Sequence, residues 1–172
     1  ITEKNFKDLD LNNPHGTSYQ NKEDQLSAYK KYYGEDITED SIFYQIDFKI
    51  VQKKVRVFTT RPDTLFGATF IAISAELAST WFDEGKIVGS DIKDFIIKTL
   101  EDKKKENDHS VVPEKEGIFT GVYAINPATK EKIPAWIANY VLGTVGTGAI
   151  MAVPAHDDRD YDFAKKYGIE IK

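Results

Sequence analysis

The sequence contains no cysteine, one methionine (Met151), two tryptophans and three histidines among 172 residues. Without cysteine there is no disulfide framework and no thiolate nucleophile, and a zinc site would have to be built from histidines and carboxylates. The same absence favours an intracellular setting. Nothing approaches the ~20 consecutive apolar residues of a membrane-spanning helix, and no charged-then-apolar leader opens the chain. A basic excess is missing too, since 23 Lys and Arg stand against 28 Asp and Glu, a net charge of −5. A domain that grips a nucleic-acid backbone unaided is usually basic, so most of the grip on any RNA partner would have to lie elsewhere in a longer protein. The run Lys103-Lys104-Lys105 is flanked by Glu101, Asp102 and Glu106 and reads as a solvated helix face. Because the chain starts at Ile1 rather than Met, it is expected to be a piece of a longer one.

What is present fits one globular domain. With 41% hydrophobic and 30% charged residues, a chain of this length buries roughly 70% of its unfolded surface. Residues 1–41 are polar and dotted with tyrosine, have a turn signal at Asn13-Pro14-His15-Gly16, and read as a divergent N-terminal segment or linker. Within them Asn21 can cap a helix that runs to Tyr33 and stops at Gly34. The domain core is expected over residues 42–172. Ile42-Tyr44-Ile46-Phe48-Ile50 alternates with period 2, and Val55 to Thr60 follows a turn at Gln52-Lys53-Lys54, which predicts a hairpin. Leu65 to Ser74 is an apolar run suited to a buried strand. Ala75 to Phe82 and Ile92 to Lys105 read as helices, the second with Ile92, Phe95, Ile96 and Leu100 on one face. A charged loop, broken by Pro113, fills residues 107–117. Strands are expected at Ile118 to Ile125, Lys132 to Ile137 and Ile150 to Val153, then a helix from Asp158 to Tyr167 ended by Gly168. Several short strands with few intervening helices predict a mixed α/β fold around a curved or closed β-barrel core.

Two stretches carry chemistry. Thr59-Thr60-Arg61-Pro62-Asp63-Thr64 sets three hydroxyls around a stiff turn, because Pro62 fixes its own φ and holds Arg61 extended. On a strand Thr59 and Thr60 would point to opposite faces. The turn could satisfy itself, with Asp63 and the threonines bonding local backbone, or its hydroxyls could orient water and measure a ligand. A covalent threonine nucleophile needs an adjacent base, and no histidine lies near this motif in sequence. The second stretch, Gly146 to Asp160, runs from Gly146-Thr147-Gly148 through an apolar strand into an acidic helix start. It lacks the lysine of a P-loop and the third glycine of a dinucleotide fingerprint. Asp157 suits an N-cap, which makes Asp160 the third helical residue, a capping box with Asp in place of Glu. The alternative is that Asp160 projects into a cavity and anchors an ammonium group. Asp162 and Lys166 form an exposed pair, and Phe163 and Tyr167 pack inward. His156 is a candidate general base of second rank, whereas His15 and His109 sit in polar loops.

Together these residues, TTRPDT followed by GTGAIMAVPAHDDRDYDFAKKYGI, resemble the leucyl-tRNA synthetase editing domain (connective peptide 1) and, less closely, the valyl and isoleucyl ones. The resemblance spans about residues 46–172 and includes Ile133 to Asn139. Arg61-Pro62-Asp63-Thr64 and Met151-Ala152-Val153 side with the leucyl type. The resemblance implies a deacylase that hydrolyses the ester joining a wrong amino acid to the 3′ end of tRNA-Leu, within a cytoplasmic ATP-dependent leucine ligase. It implies catalytic roles for Thr59, Thr60 and Asp160, with Asp160 on the α-ammonium. Substrate contacts would come from Arg61, Asp63, Thr64, Gly146, Thr147, Gly148, Met151, Val153, His156 and Asp157, with Thr64 refusing leucine's side chain. It implies no metal and no cofactor for editing, ATP and Mg belonging to the synthetic domain, and the remaining synthetase domains as partners, with no membrane. Valyl or isoleucyl specificity, or a non-catalytic module that only holds the tRNA 3′ end, are the alternatives.

Overall fold

The computed structural model describes residues 2–9, 11, 19–50, 53–105 and 114–172. The expected turn at residues 13–16, His15, His109 and most of the charged loop lie outside them. Strand β1 (Thr2–Asn5) precedes helix α1 (Lys22–Tyr33). Asn21 caps α1 by accepting from the Asp24 amide at 2.9 Å. The helix stops at Gly34, whose φ of 108° suits a residue without Cβ. Strands β2 (Ile42–Ile50) and β3 (Lys53–Thr59) form the predicted hairpin. Lys53 already pairs opposite Ile50, so Lys53 and Lys54 belong to the strand and not to the turn.

The run from Leu65 to Ser74 is not one strand. Pro62–Gly67 winds as a 3₁₀ helix, and β4 is only Phe70–Ile73. Pro62 starts the winding with its fixed φ, and the Thr64 and Ala68 amides close it by donating to the Arg61 and Leu65 carbonyls. All four β4 residues are fully buried, because both faces of the strand are covered. Ser74 caps α2 (Ala75–Asp83), accepting from the Leu77 amide at 3.2 Å. Helix α3 (Ser90–Lys105) buries Ile92 and Ile96 and packs Phe95 and Leu100 beside them. Lys103 on α3 is not merely solvated, since its ammonium reaches Glu76 at 3.2 Å and the Val141 carbonyl at 3.0 Å.

Strands β5 (Gly117–Ile125), β6 (Lys132–Ala138) and β7 (Ala149–Ala152) and helix α4 (Asp158–Tyr167) complete the chain. The seven strands form one sheet in the order β1-β2-β5-β6-β4-β7, with β3 on the other side of β2. The β4–β6 pairing is parallel and the others are antiparallel. The sheet curves until β3 and β7 lie side by side. Among the described residues no strand pairing joins them, and the fold is mixed α/β around a curved sheet. At this seam the four-residue β7 presents a short edge and the Gly146–Gly148 turn comes against β3. Thr147 Oγ1 bonds the Arg56 carbonyl there.

Inside the curve Val57, Ile71, Ile73, Ile137 and Met151 pack with Leu77 and Trp81 of α2 and Ile96 of α3. On the outside, α4 lays Phe163 against Phe70 at 5.4 Å between ring centroids and against Tyr167 at 4.6 Å. Asp162 and Lys166 do not pair with each other. Asp162 takes Lys115 at 2.8 Å and Lys166 takes Glu114 at 2.8 Å, because the segment before β5 runs against the helix and supplies a partner to each. A third cluster joins Phe6, Leu9, Tyr29, Ile37 and Phe43 to Val145, so the N-terminal segment is packed onto the second motif.

Candidate functional site

The first motif begins where β3 ends. The strand ends at Thr59, so Thr60 lies beyond its alternation, and both residues border the same cleft. Thr59 Oγ1 accepts from the Arg61 amide at 3.0 Å, and Thr64 Oγ1 donates to the Arg61 carbonyl at 2.9 Å. Two of the three hydroxyls thus hold the turn. Thr60 has no side-chain hydrogen bond among the described residues. Arg61 Nε and Nη2 grip Asp63 at 3.0 and 2.7 Å. Both side chains are exposed, and the guanidinium holds the Asp63 carboxyl below its ordinary range.

The second motif enters α4. Asp157 caps the helix, accepting from the Arg159 amide at 2.8 Å and the Asp160 amide at 3.4 Å. The Arg159 guanidinium folds back onto the same carboxylate at 2.8 Å. Burial pushes the Asp157 carboxyl up, but Arg159 and the two amides outweigh it and the net direction is down. Asp160 is 4% exposed. Its Oδ1 accepts from Tyr140 Oη at 2.8 Å and its Oδ2 from the Val153 amide at 2.8 Å. Burial pushes the Asp160 carboxyl up to about 6, and the Val153 amide pulls against that shift. The reciprocal half of a capping box is absent, because Asp160 turns toward Val153 while the Asp157 amide donates to the Val153 carbonyl at 3.1 Å. Asp160 is therefore a buried carboxylate held by two neutral donors, not a cap.

Between the motifs lies a cleft of about 160 Å³. The end of β3 and its turn supply Phe58, Thr59, Thr60, Arg61 and Thr64. Strand β7 and the turn into α4 supply Ile150, Met151, Val153, His156, Asp157, Arg159 and Asp160, and α1 supplies Tyr33. The curved sheet thus brings together nine of the residues singled out in the sequence: Thr59, Thr60, Arg61, Thr64, Met151, Val153, His156, Asp157 and Asp160. Asp63 is drawn away by Arg61. Gly146, Thr147 and Gly148 lie behind the cleft wall, where both glycines have positive φ (59° and 71°). A Cβ on Gly148 would come within 2.9 Å of Ser74 Oγ, and the Gly148 carbonyl accepts from the Ser74 amide at 2.8 Å.

Tyr33, Phe58, Ile150, Arg159 and the supporting Tyr140 were not visible from sequence reasoning. Arg159 carried a signal, lying between two singled-out aspartates, whereas Tyr33 carried none. Among the described residues no three histidine or carboxylate side chains converge to hold a metal, and no helix is long and apolar enough to cross a membrane. A larger cleft of about 520 Å³ opens between β5, β6 and the C-terminal residues, lined by Phe119, Tyr123, Trp136 and Tyr167. None of the candidate catalytic or substrate-binding residues borders it, and the smaller cleft carries the buried carboxylate and the hydroxyls, so the smaller one is the candidate site.

Comparison with known proteins shows the family. Residues 40–172 match the family model described as leucyl-tRNA synthetase, editing domain. A leucine–tRNA ligase from Fervidobacterium nodosum is 52% identical over 133 residues, covering 74% of this chain and 16% of the relative. One from Borrelia duttonii is 48% identical over 133 residues, covering 74% and 15%. Among solved structures, a ternary complex of Agrobacterium radiobacter LeuRS with tRNA and LeuAMS superposes with a TM-score of 0.61 at 34% identity, over 74% of this chain and 15% of that one. The chain therefore spans about a sixth of the length of these relatives. With its family model matched over residues 40–172 and both motifs meeting at one cleft, the chain belongs to the family of leucyl-tRNA synthetase editing domains.

Proposed function

We propose that this cleft hydrolyses the ester of mischarged tRNA-Leu, as the editing site of a cytoplasmic leucine–tRNA ligase. The observation that carries the reading is Asp160, a nearly dry carboxylate whose two oxygens are positioned by Tyr140 and Val153 at the border of a cleft of amino-acid size. A fixed anion in such surroundings suits an α-ammonium, which a neutral peptide or sugar would not offer. Thr64 is buried on the same cleft, tied down by its own hydroxyl, and makes a rigid wall that a branched leucine side chain would strike. The Thr60 hydroxyl is available to a water or to the substrate, and Thr59 orients the backbone beside it. Met151 and Val153 furnish apolar wall, while His156, Arg61 and Asp157 are left for the ribose and phosphate side. Gly146, Thr147 and Gly148 shape the wall from behind.

Hydrolysis adds water to the acyl carbon and breaks its bond to the ribose oxygen, releasing the free amino acid and an intact tRNA 3′ end. A second sieve is physically necessary, because one methylene is worth only ~1–3 kcal/mol in an apolar pocket. Editing on this reading uses no metal or cofactor, and ATP and Mg serve the synthetic domain elsewhere in the parent enzyme. The net charge of −5 assigns most of the grip on tRNA to those other domains. Residues 42–172 are the editing core on this reading, with residues 1–41 an added segment. The β3–β7 seam is the place where the sheet would complete a barrel. The test is deacylation of norvalyl-, isoleucyl- and leucyl-tRNA-Leu by the full synthetase. The first two are expected to be cleaved and the third spared, and cleavage of none would refute the reading.

A further inference from the structure

We infer that Tyr33, on a helix outside the family-matched stretch, contacts the substrate in this cleft, forming with Phe58 an aromatic rim for the base of the terminal nucleoside. The inference rests on the editing reading above. Tyr33 ends α1 (Lys22–Tyr33), whereas the family match begins at residue 40, yet Tyr33 borders the cleft beside Phe58 and Thr59. Its place is set by packing. Its ring lies 5.7 Å from Tyr29 and 5.5 Å from Phe43, the latter edge-on. Tyr29 in turn accepts the Gly146 amide at 3.2 Å, which fastens α1 to the glycine turn of the second motif. The rim is therefore built into the fold.

The size of the cleft argues for what the rim receives. A cleft of about 160 Å³ is smaller than pockets that enclose a whole drug-sized ligand, so an aminoacyl nucleoside anchored in it extends onto the rim. The carboxylate end of the cleft belongs to Val153 and Tyr140. Tyr33 and Phe58 belong instead to the cluster of Phe6, Tyr29, Phe43 and Val145, at a different wall. An amino acid anchored by its ammonium at Asp160 presents its ester, and the nucleoside beyond it, away from that anchor. Flat aromatic rings there offer stacking area at little entropic cost, which any base can use.

The test uses the full synthetase and two hydrolysis-resistant probes, norvaline joined by an amide to adenosine and the same amide on an abasic ribose. Tyr33→Leu is expected to weaken binding of the adenosine probe about 10-fold, to leave the abasic probe within twofold, and to raise KM for deacylation with kcat kept. Tyr33→Phe is expected to bind like the wild type. Equal weakening of both probes by Tyr33→Leu would mean that Tyr33 only supports the fold, and would overturn the inference. Wild-type affinity for the adenosine probe in Tyr33→Leu, with binding lost in Asp160→Asn, would overturn it while leaving the editing reading intact. If the wild type neither binds the probes nor deacylates, the editing reading fails and the inference fails with it.

Discussion

Replacing Asp160 by asparagine separates the charge of this residue from its shape. The carboxylate takes one proton donor at each oxygen, Tyr140 Oη and the Val153 amide, both at 2.8 Å. An asparagine can accept from the Val153 amide with its oxygen and donate to Tyr140 with its nitrogen, because a phenol accepts as well as donates. Asp160→Ala instead strands the buried Val153 amide, at a cost of ~1–3 kcal/mol. The charge itself has a pH signature. Burial pushes the carboxyl up to about 6 in the folded chain from an ordinary 3.8, so the folded state holds this proton more tightly than the unfolded one. The stability contributed by this group is therefore greatest below 3.8 and falls as pH rises from there to about 6. At ~1.36 kcal/mol per pH unit, that loss amounts to about 3 kcal/mol. Asp160→Asn has no such titration. Urea unfolding at pH 4, 5, 6 and 7 should show the variant gaining about 3 kcal/mol on the wild type toward neutrality. Deacylation should drop about 10- to 150-fold, the loss of a charge-assisted bond to the ammonium at ~1.5–3 kcal/mol. A stability gap that ignores pH, or deacylation within twofold of wild type, would refute the reasoning.

The remaining expectations concern the walls and supports of the cleft. Thr64→Ala removes a buried hydroxyl and methyl from the sieve wall, so leucyl-tRNA-Leu should begin to be hydrolysed. Continued rejection of leucine in a deacylation assay would count against the assignment. Asp157→Ala removes the N-cap of α4 and should cost about 1 kcal/mol, or roughly 2–4 °C in Tm by calorimetry. An unchanged Tm would mean that water accepts from the Arg159 and Asp160 amides in place of the cap. Gly117→Ala would place a Cβ 2.5 Å from both the Ile137 carbonyl and the Phe163 ring. Denaturant titration should then find a loss of about 1–3 kcal/mol or more, the usual consequence of overpacking, and wild-type stability would show the contact to be slack.

Much of the architecture was legible because it rests on local rules. Asn21 and Gly34 delimit α1, and Asp157 and Gly168 delimit α4, since a cap is decided by residues three or four positions apart. The alternation in β2 likewise fits a strand whatever its partner. The run from Leu65 to Ser74 failed for the opposite reason. A segment buried on all sides loses the periodicity that separates strand from turn, and Pro62 with the Arg61 carbonyl decided for a 3₁₀ helix. The Asp162–Lys166 pair failed because Glu114 and Lys115, distant in sequence, compete for both partners.

The site divides along the same line. By itself the sequence determined which chemical groups are on offer, the threonines around Arg61-Pro62 and the acids after Pro154, because composition and short spacing are local properties. Only the tertiary structure decided that these groups share a cleft, since β3 and β7 meet through curvature accumulated over the whole sheet. It also decided the role of Asp160, whose turn away from the cap depends on the Val153 amide and Tyr140 being within 2.8 Å. And it brought in Tyr33, whose helix is fastened to Gly146 by a hydrogen bond spanning 117 positions of the chain, a distance over which no local pattern can speak.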